Sequence, residues 1–234
     1  MKLVKNDLFD YGLEIYQDQD AFKFSLDSIL LAEFVDTKKE ISSIVDFCSG
    51  NGAVPLILST KTKAKIIGFE IQKNPFNLAY NSVNLNNLNN RIKIIKDDLA
   101  NALEYILPET VDVVTCNPPY FKYDKSSNIN IEEEKAIARH EIETNLESII
   151  MSAKYILKNK GILYMVHRPE RLQEISNTLS KYKFAIKKLQ FIYSDYKKGA
   201  IMVLIKATKN GLEGTKVNPP INVLEYKTYQ NIFD

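Results

Sequence analysis

Along most of the chain, runs of apolar, largely β-branched residues alternate with stretches of helical composition. The apolar runs predict strands at residues 41–48, 65–71, 92–98, 111–116, 161–167, 185–193 and 201–209. The intervening segments predict helices at 53–60, 74–85, 99–107, 145–158 and 169–180. Pro55 and Pro75 each fall near a helix start, where a missing N–H costs nothing. Strands separated by helices make a doubly wound, mostly parallel α/β sheet, here of seven strands. The strands lack polar alternation, which fits burial on both faces. Only residues 194–200 link the last two strands, so these should pair antiparallel, giving one antiparallel edge strand. In such sheets ligands bind at the carboxyl ends of the strands.

The 234 residues fit one domain: an N-terminal segment to residue 40, a core over 41–209, and a C-terminal strap over 210–234 that carries Pro219-Pro220. The polar stretch 121–141 is long for a connection and reads as a lid or a disordered loop. Net charge is only +2, but its distribution is uneven. From Lys154 to Lys209 there are 13 Lys and Arg against 3 Asp and Glu, so the rest of the chain carries −8. A basic segment in an otherwise acidic chain suits a polyanionic partner, and equally a set of solvated lysines. Cys48 and Cys116 have no metal-ligand spacing, so no metal is expected. No export signal or membrane-spanning run is evident, which points to the cytoplasm, with both cysteines as thiols. The sequence leaves the oligomeric state open, with a monomer favoured.

Three successive strand ends carry acids. The first is Asp46-Phe-Cys-Ser49-Gly50-Asn51-Gly52, between a strand and a helix. Glycines there let a ligand approach the backbone, and the helix start supplies free N–H donors. Pro55 stands where a dinucleotide fingerprint has its third glycine, and Asp46 would repel a pyrophosphate. An acid at that point suits a ligand bearing a cationic amine. Taken alone, Gly-x-Gly reads as well as a tight turn. The second acid is Glu70, followed by Ile71, placed to accept from ribose hydroxyls. The third is the Asp97-Asp98 pair before Leu99, where a carboxylate can accept from an adenine amine; position favours Asp98.

The strongest signal is Asn117-Pro118-Pro119-Tyr120, at the end of the fourth strand. A purine's exocyclic amine is a weak nucleophile because its lone pair spreads into the ring. The Asn117 side-chain oxygen and the Pro118 carbonyl can each accept one amine hydrogen and aim that lone pair. Two prolines fix φ and remove N–H donors, presenting the acceptors rigidly. Tyr120 is placed to stack on an extruded base. With an activated methyl donor, positioning suffices and no histidine-centred constellation is needed.

These residues resemble class I methyltransferases that modify amino groups, over about residues 41–209. That resemblance implies a Rossmann-like sheet and S-adenosylmethionine as cofactor, with S-adenosylhomocysteine as product. Three further segments sharpen it: Phe22-Lys-Phe-Ser-Leu-Asp27-Ser-Ile-Leu-Leu-Ala, Ala138-Arg139-His140-Glu141, and Val166-His-Arg-Pro-Glu-Arg171-Leu. Together they are similar to the bacterial tRNA(Val) (adenine-37-N6)-methyltransferases. The resemblance implies N6-methylation of the adenine beside the anticodon, with tRNA as partner. It implies that Phe24, Ser25 and Asp27 help close the cofactor pocket, and that the Asn-Pro-Pro-Tyr segment holds the base. The tetrad is shared with enzymes acting on protein glutamine or on guanine N2, so by itself it leaves the acceptor open. Arg139 is placed to touch a phosphate and His140 to cover the base, or else to cap the next helix. Lys181, Lys183, Lys187, Lys188, Lys197 and Lys198 form a candidate RNA-binding patch.

Overall fold

A computed structural model describes residues 3–8, 11–18, 26–38, 40–119 and 145–225. Phe24, Ser25, Tyr120, Arg139, His140 and the 121–141 stretch lie outside the described residues. The chain opens with a hairpin, β1 (Leu3–Leu8) and β2 (Leu13–Asp18), paired antiparallel, then helix α1 (Leu26–Phe34). Next come β3 (Ser43–Phe47), α2 (Ala53–Lys61), β4 (Lys65–Phe69), α3 (Lys73–Leu85) and β5 (Ile92–Ile95). A 3-10 helix (Leu99–Glu104) leads to β6 (Val111–Cys116). The second half holds α4 (Leu146–Ile156), β7 (Leu157–His167), a 3-10 turn (Pro169–Arg171), α5 (Leu172–Lys181), β8 (Phe184–Tyr193) and β9 (Met202–Lys209). Two short strands, β10 (Lys216–Val217) and β11 (Ile221–Asn222), follow.

The main sheet runs in the order β10-β8-β9-β7-β6-β3-β4-β5, with β11 also on β8. Every pairing is parallel except those of β9, which runs against both β7 and β8. The doubly wound class and the late antiparallel pair are as the sequence predicts. The reversed strand, however, lies one place in from the edge. The short link 194–200 turns β8 back as β9, which slots between β7 and β8, so β8 is the outer member. That edge is then covered by β10 and β11, which shields its backbone groups from pairing with another chain.

Both faces of the sheet are buried, which explains the uninterrupted apolar runs. Ile44, Val113, Leu204 and Met202 point into the core beneath α1, α2 and α3. Their neighbours Val45, Val114, Val203 and Ile205 point the other way, beneath α4 and α5. Successive side chains of a strand face opposite sides, so each strand feeds two cores. The strands before Glu70 and before Asp97 stop sooner than predicted, at Phe69 and Ile95, leaving those acids just past the sheet. The segment predicted as a helix over 99–107 is instead the 3-10 helix Leu99–Glu104. Asp97 draws it tight, accepting from Asn101 Nδ2 at 2.9 Å and from the Tyr105 hydroxyl at 2.6 Å.

The N-terminal hairpin is outside the sequence prediction. It is fastened to α3 through polar groups: Glu14 N–H donates to Asn86 Oδ1 at 2.9 Å, Asn86 Nδ2 donates to Glu14 O at 2.6 Å, and Tyr16 N–H donates to Ser82 Oγ at 2.9 Å. Gly12, at the turn between the two strands, has φ +63°, a conformation that favours glycine.

Candidate active site

The carboxyl ends of β3, β4, β5 and β6 lie side by side, because these strands are parallel neighbours. After β3 the backbone turns sharply, with Cys48, Gly50 and Gly52 all at positive φ. Gly52 caps α2 at φ +88°, and a Cβ on it would sit 3.2 Å from the Ala79 Cβ of α3. Glycine is therefore required twice over at 52, by conformation and by the close approach of α3. A Cβ at Gly50 would meet nothing within 4 Å among the described residues. No side chain caps the start of α2, so its first N–H groups face the turn.

Asp46 is 1% exposed and faces Thr115, its register partner on β6. Thr115 Oγ1 donates to Asp46 Oδ1 at 2.6 Å, while the buried Oδ2 has no hydrogen-bond partner among the described residues. Burial pushes the Asp46 carboxyl up to about 7; the Thr115 hydrogen bond opposes that rise and the nearby Glu70 carboxylate adds to it. Ser49 Oγ donates to the Asp46 carbonyl at 3.0 Å, and this buried serine shapes the turn. Asn51 is half-buried at its tip.

Glu70 is also buried. It accepts from Gly50 N–H at 2.8 Å through Oε2 and from Gln72 N–H at 2.8 Å through Oε1. Its carboxyl is raised by burial against the pull of these backbone donors. Glu70 thus ties the glycine turn to the end of β4. Asp97 has both oxygens engaged: Oδ1 accepts from Asp98 N–H and Asn101, and Oδ2 accepts from Tyr105. Asp98 caps the 3-10 helix through Oδ1 alone, accepting from Ala100 N–H at 2.8 Å. Of the pair, Asp98 has more capacity left for a ligand. Ile71 is half-exposed beside Glu70. The Leu99 side chain is buried in the core beneath α4 and α5.

Asn117 follows β6 and is half-buried, Pro118 is buried and Pro119 exposed. Asn117 Nδ2 donates to Ser28 Oγ on α1 at 3.0 Å. That bond fixes which end of the amide turns toward α1. Asp27 and Ser28 are both half-buried in the first turn of α1, where an acid also complements the helix dipole. Ser28 and Thr115 escape the sequence reading. Ser28 sits one residue past Asp27, within the segment 22–32, so a signal was there. Thr115 lies 69 positions from Asp46 and only strand register joins them. The Cys116 thiol, on β6 beside Cys48, is driven up by burial.

The six lysines do not form one patch. Lys181 pairs with Glu147 at 2.5 Å. Lys183 precedes β8, at the opposite end of the sheet from Asn117. Lys187 Nζ donates to the Leu212 and Glu213 carbonyls, and Lys188 Nζ lies 5.9 Å from the centre of the Phe34 ring. Lys197 and Lys198 are exposed in the β8–β9 turn, at the same end as Asn117. Among the described residues, no group of three or more His, Cys, Asp or Glu could hold a metal, and no helix is long and apolar enough to cross a membrane.

The chain is 29% identical over 154 residues to the tRNA1(Val) (adenine(37)-N6)-methyltransferase of Haemophilus influenzae, covering 65% of this chain and 64% of that protein, just under two thirds. It is 24% identical over 200 residues to the protein of the same name from Flavobacterium psychrophilum, covering 84% of each. Among solved structures, a "predicted O-methyltransferase" from Agrobacterium tumefaciens matches with a TM-score of 0.68 at 20% identity, covering 86% of this chain and 89% of that one. Geranyl diphosphate C-methyltransferase from Streptomyces coelicolor, in complex with S-adenosyl-L-homocysteine, matches with a TM-score of 0.59 at 8% identity, covering 79% and 76%. At those identities the structural likeness shows a shared fold. A family model described as the methyltransferase small domain matches residues 23–193, most of the chain, and the protein therefore belongs to the methyltransferase small domain family.

Proposed function

We propose that this protein transfers a methyl group from S-adenosylmethionine to the N6 amine of an adenine in tRNA, the adenine at position 37 beside the anticodon of tRNA(Val). The observation that carries the reading is Asn117: it stands at the end of β6, one strand from the glycine turn, with its amide nitrogen anchored by Ser28. The names of the Haemophilus and Flavobacterium relatives supply the acceptor.

The residues present suit that cofactor. Among the described residues, Asp46 offers a buried oxygen with no partner, as a cationic amine requires, and a Cβ at Gly50 would meet nothing within 4 Å. In this reading Glu70 accepts from the ribose hydroxyls and Asp98 from the adenine amine. When bound, the sulfonium supplies a methyl already activated for transfer. The protein's part is then geometric. Asn117 Oδ1 and the Pro118 carbonyl accept the two hydrogens of the target amine, holding its lone pair toward the donor. Pro118 and Pro119 stiffen this short segment; Tyr120, expected from the sequence to stack on the base, lies outside the described residues.

The test is incubation with labelled cofactor and separate RNA, DNA and protein pools, with mass spectrometry of nucleosides from tRNA of cells with and without the protein. Label in tRNA as N6-methyladenosine supports the reading. Label only in protein, or in guanine, overturns it.

A further inference from the structure

We infer that the β8–β9 turn, residues 194–200, is where the protein grips the RNA backbone beside the target nucleotide; this rests on the function proposed above. The argument begins with strand direction. β6 and β7 are parallel, and β7 and β8 both run against β9. The carboxyl end of β8 therefore emerges at the same end of the sheet as Asn117. Three strand spacings separate β6 from β8, about 14 Å. That is on the order of four nucleotide rises along a stacked strand.

The turn is built rather than loose. Asp195 Oδ1 accepts from Lys197 N–H and the Asp195 carbonyl accepts from Lys198 N–H, both at 2.9 Å. The Asp195 carboxylate is thus turned inward to the backbone. Arg168, directly after β7, reaches across with Nη1 to the Ile201 carbonyl at 3.0 Å, fixing the turn to the strand beside β6. Lys197 and Lys198 project outward and, among the described residues, have no acidic side chain within ion-pair distance. Arg171 adds a cation nearby but is paired with Glu174 at 2.6 Å; Glu170 is the exposed acid on this side. Tyr196 is 51% exposed, and its ring lies 5.5 Å from that of Tyr193. A half-exposed aromatic beside two unpaired cations is the combination that holds a nucleic-acid strand, with phosphates on the lysines and a base on the ring.

The test compares the full-length protein with Lys197→Gln/Lys198→Gln and with a control of equal charge change, Lys63→Gln/Lys93→Gln, two exposed lysines on or near β4 and β5. RNA affinity and steady-state methylation of tRNA are measured between about 50 and 250 mM salt, with cofactor affinity by calorimetry. Losing two phosphate contacts should raise KM for tRNA by roughly tenfold and flatten the slope of log affinity against log salt by about 1.5. Cofactor affinity and kcat should stay put, and the control should match wild type. Tyr196→Ala should weaken RNA binding several-fold without changing the salt slope. An unchanged slope in the 197/198 variant, or an equal loss in the control, overturns the inference. If wild type methylates tRNA and the 197/198 variant is indifferent, only this inference fails. If wild type methylates no RNA, the proposed function itself fails.

Discussion

Replacing Asp46 with asparagine separates the cost of burying this carboxylate from its use. In the folded protein the group titrates near 7, against 3.8 when unperturbed. That difference corresponds to about 4 kcal/mol. Because the folded value is the higher one, the folded state keeps a proton that the unfolded chain releases as pH rises from 3.8 to 7. Wild type therefore loses stability through that window, with no penalty below it and the full penalty above it. The asparagine side chain would carry no such charge. Its carbonyl can still accept from Thr115, and any cost of its NH2 group is the same at every pH. The quantity to read is thus the change with pH of the stability difference between variant and wild type. Urea unfolding of the cofactor-free proteins from pH 4 to pH 8 should show the variant gaining about 4 kcal/mol relative to wild type, or roughly 10 °C in midpoint temperature for a chain of this size. Glu70 titrates in both proteins and cancels to first order. Above pH 7, S-adenosylhomocysteine should stabilise wild type more than the variant. A stability difference flat to within about 1 kcal/mol across the range would refute the idea that burial of Asp46 costs stability when it ionises without a ligand.

Asn117→Ala should abolish methyl transfer while calorimetry finds cofactor binding nearly intact; normal turnover in this variant would remove Asn117 from the chemistry. Ser28→Ala should lower kcat several-fold, up to about tenfold, with cofactor affinity and thermal midpoint little changed. Ser28→Thr, which retains the hydroxyl, should restore it, and a Ser28→Ala enzyme with wild-type kcat would show that Asn117 needs no anchor. Glu70→Ala should weaken cofactor binding, partly by removing the acceptor of Gly50 N–H, and unchanged affinity would take Glu70 out of the pocket.

The periodicity of the core was enough to place most strands of the sheet. Strands such as Val111–Cys116 are buried on both faces, so their apolar runs stand out without any partner being known. The acids at strand ends, the glycine turn and Asn117 were legible for a related reason: each is a residue type out of keeping with the apolar run it terminates. The hairpin Leu3–Leu8 and Leu13–Asp18 was not, since polar groups of α3 hold much of it and its sequence is correspondingly mixed.

What the sequence by itself determined was the doubly wound class and the chemical character of each strand end, because burial and backbone conformation restrict residue type locally. What only the tertiary structure decided was which distant groups meet. Thr115 reaches Asp46 through strand register, and Ser28 reaches Asn117 across 89 positions. Direction in the sheet then sorts the lysines, leaving Lys197 and Lys198 beside the site and Lys183 at the far end. Charge can be counted along a chain, but the side of the molecule on which it acts depends on how the strands are paired.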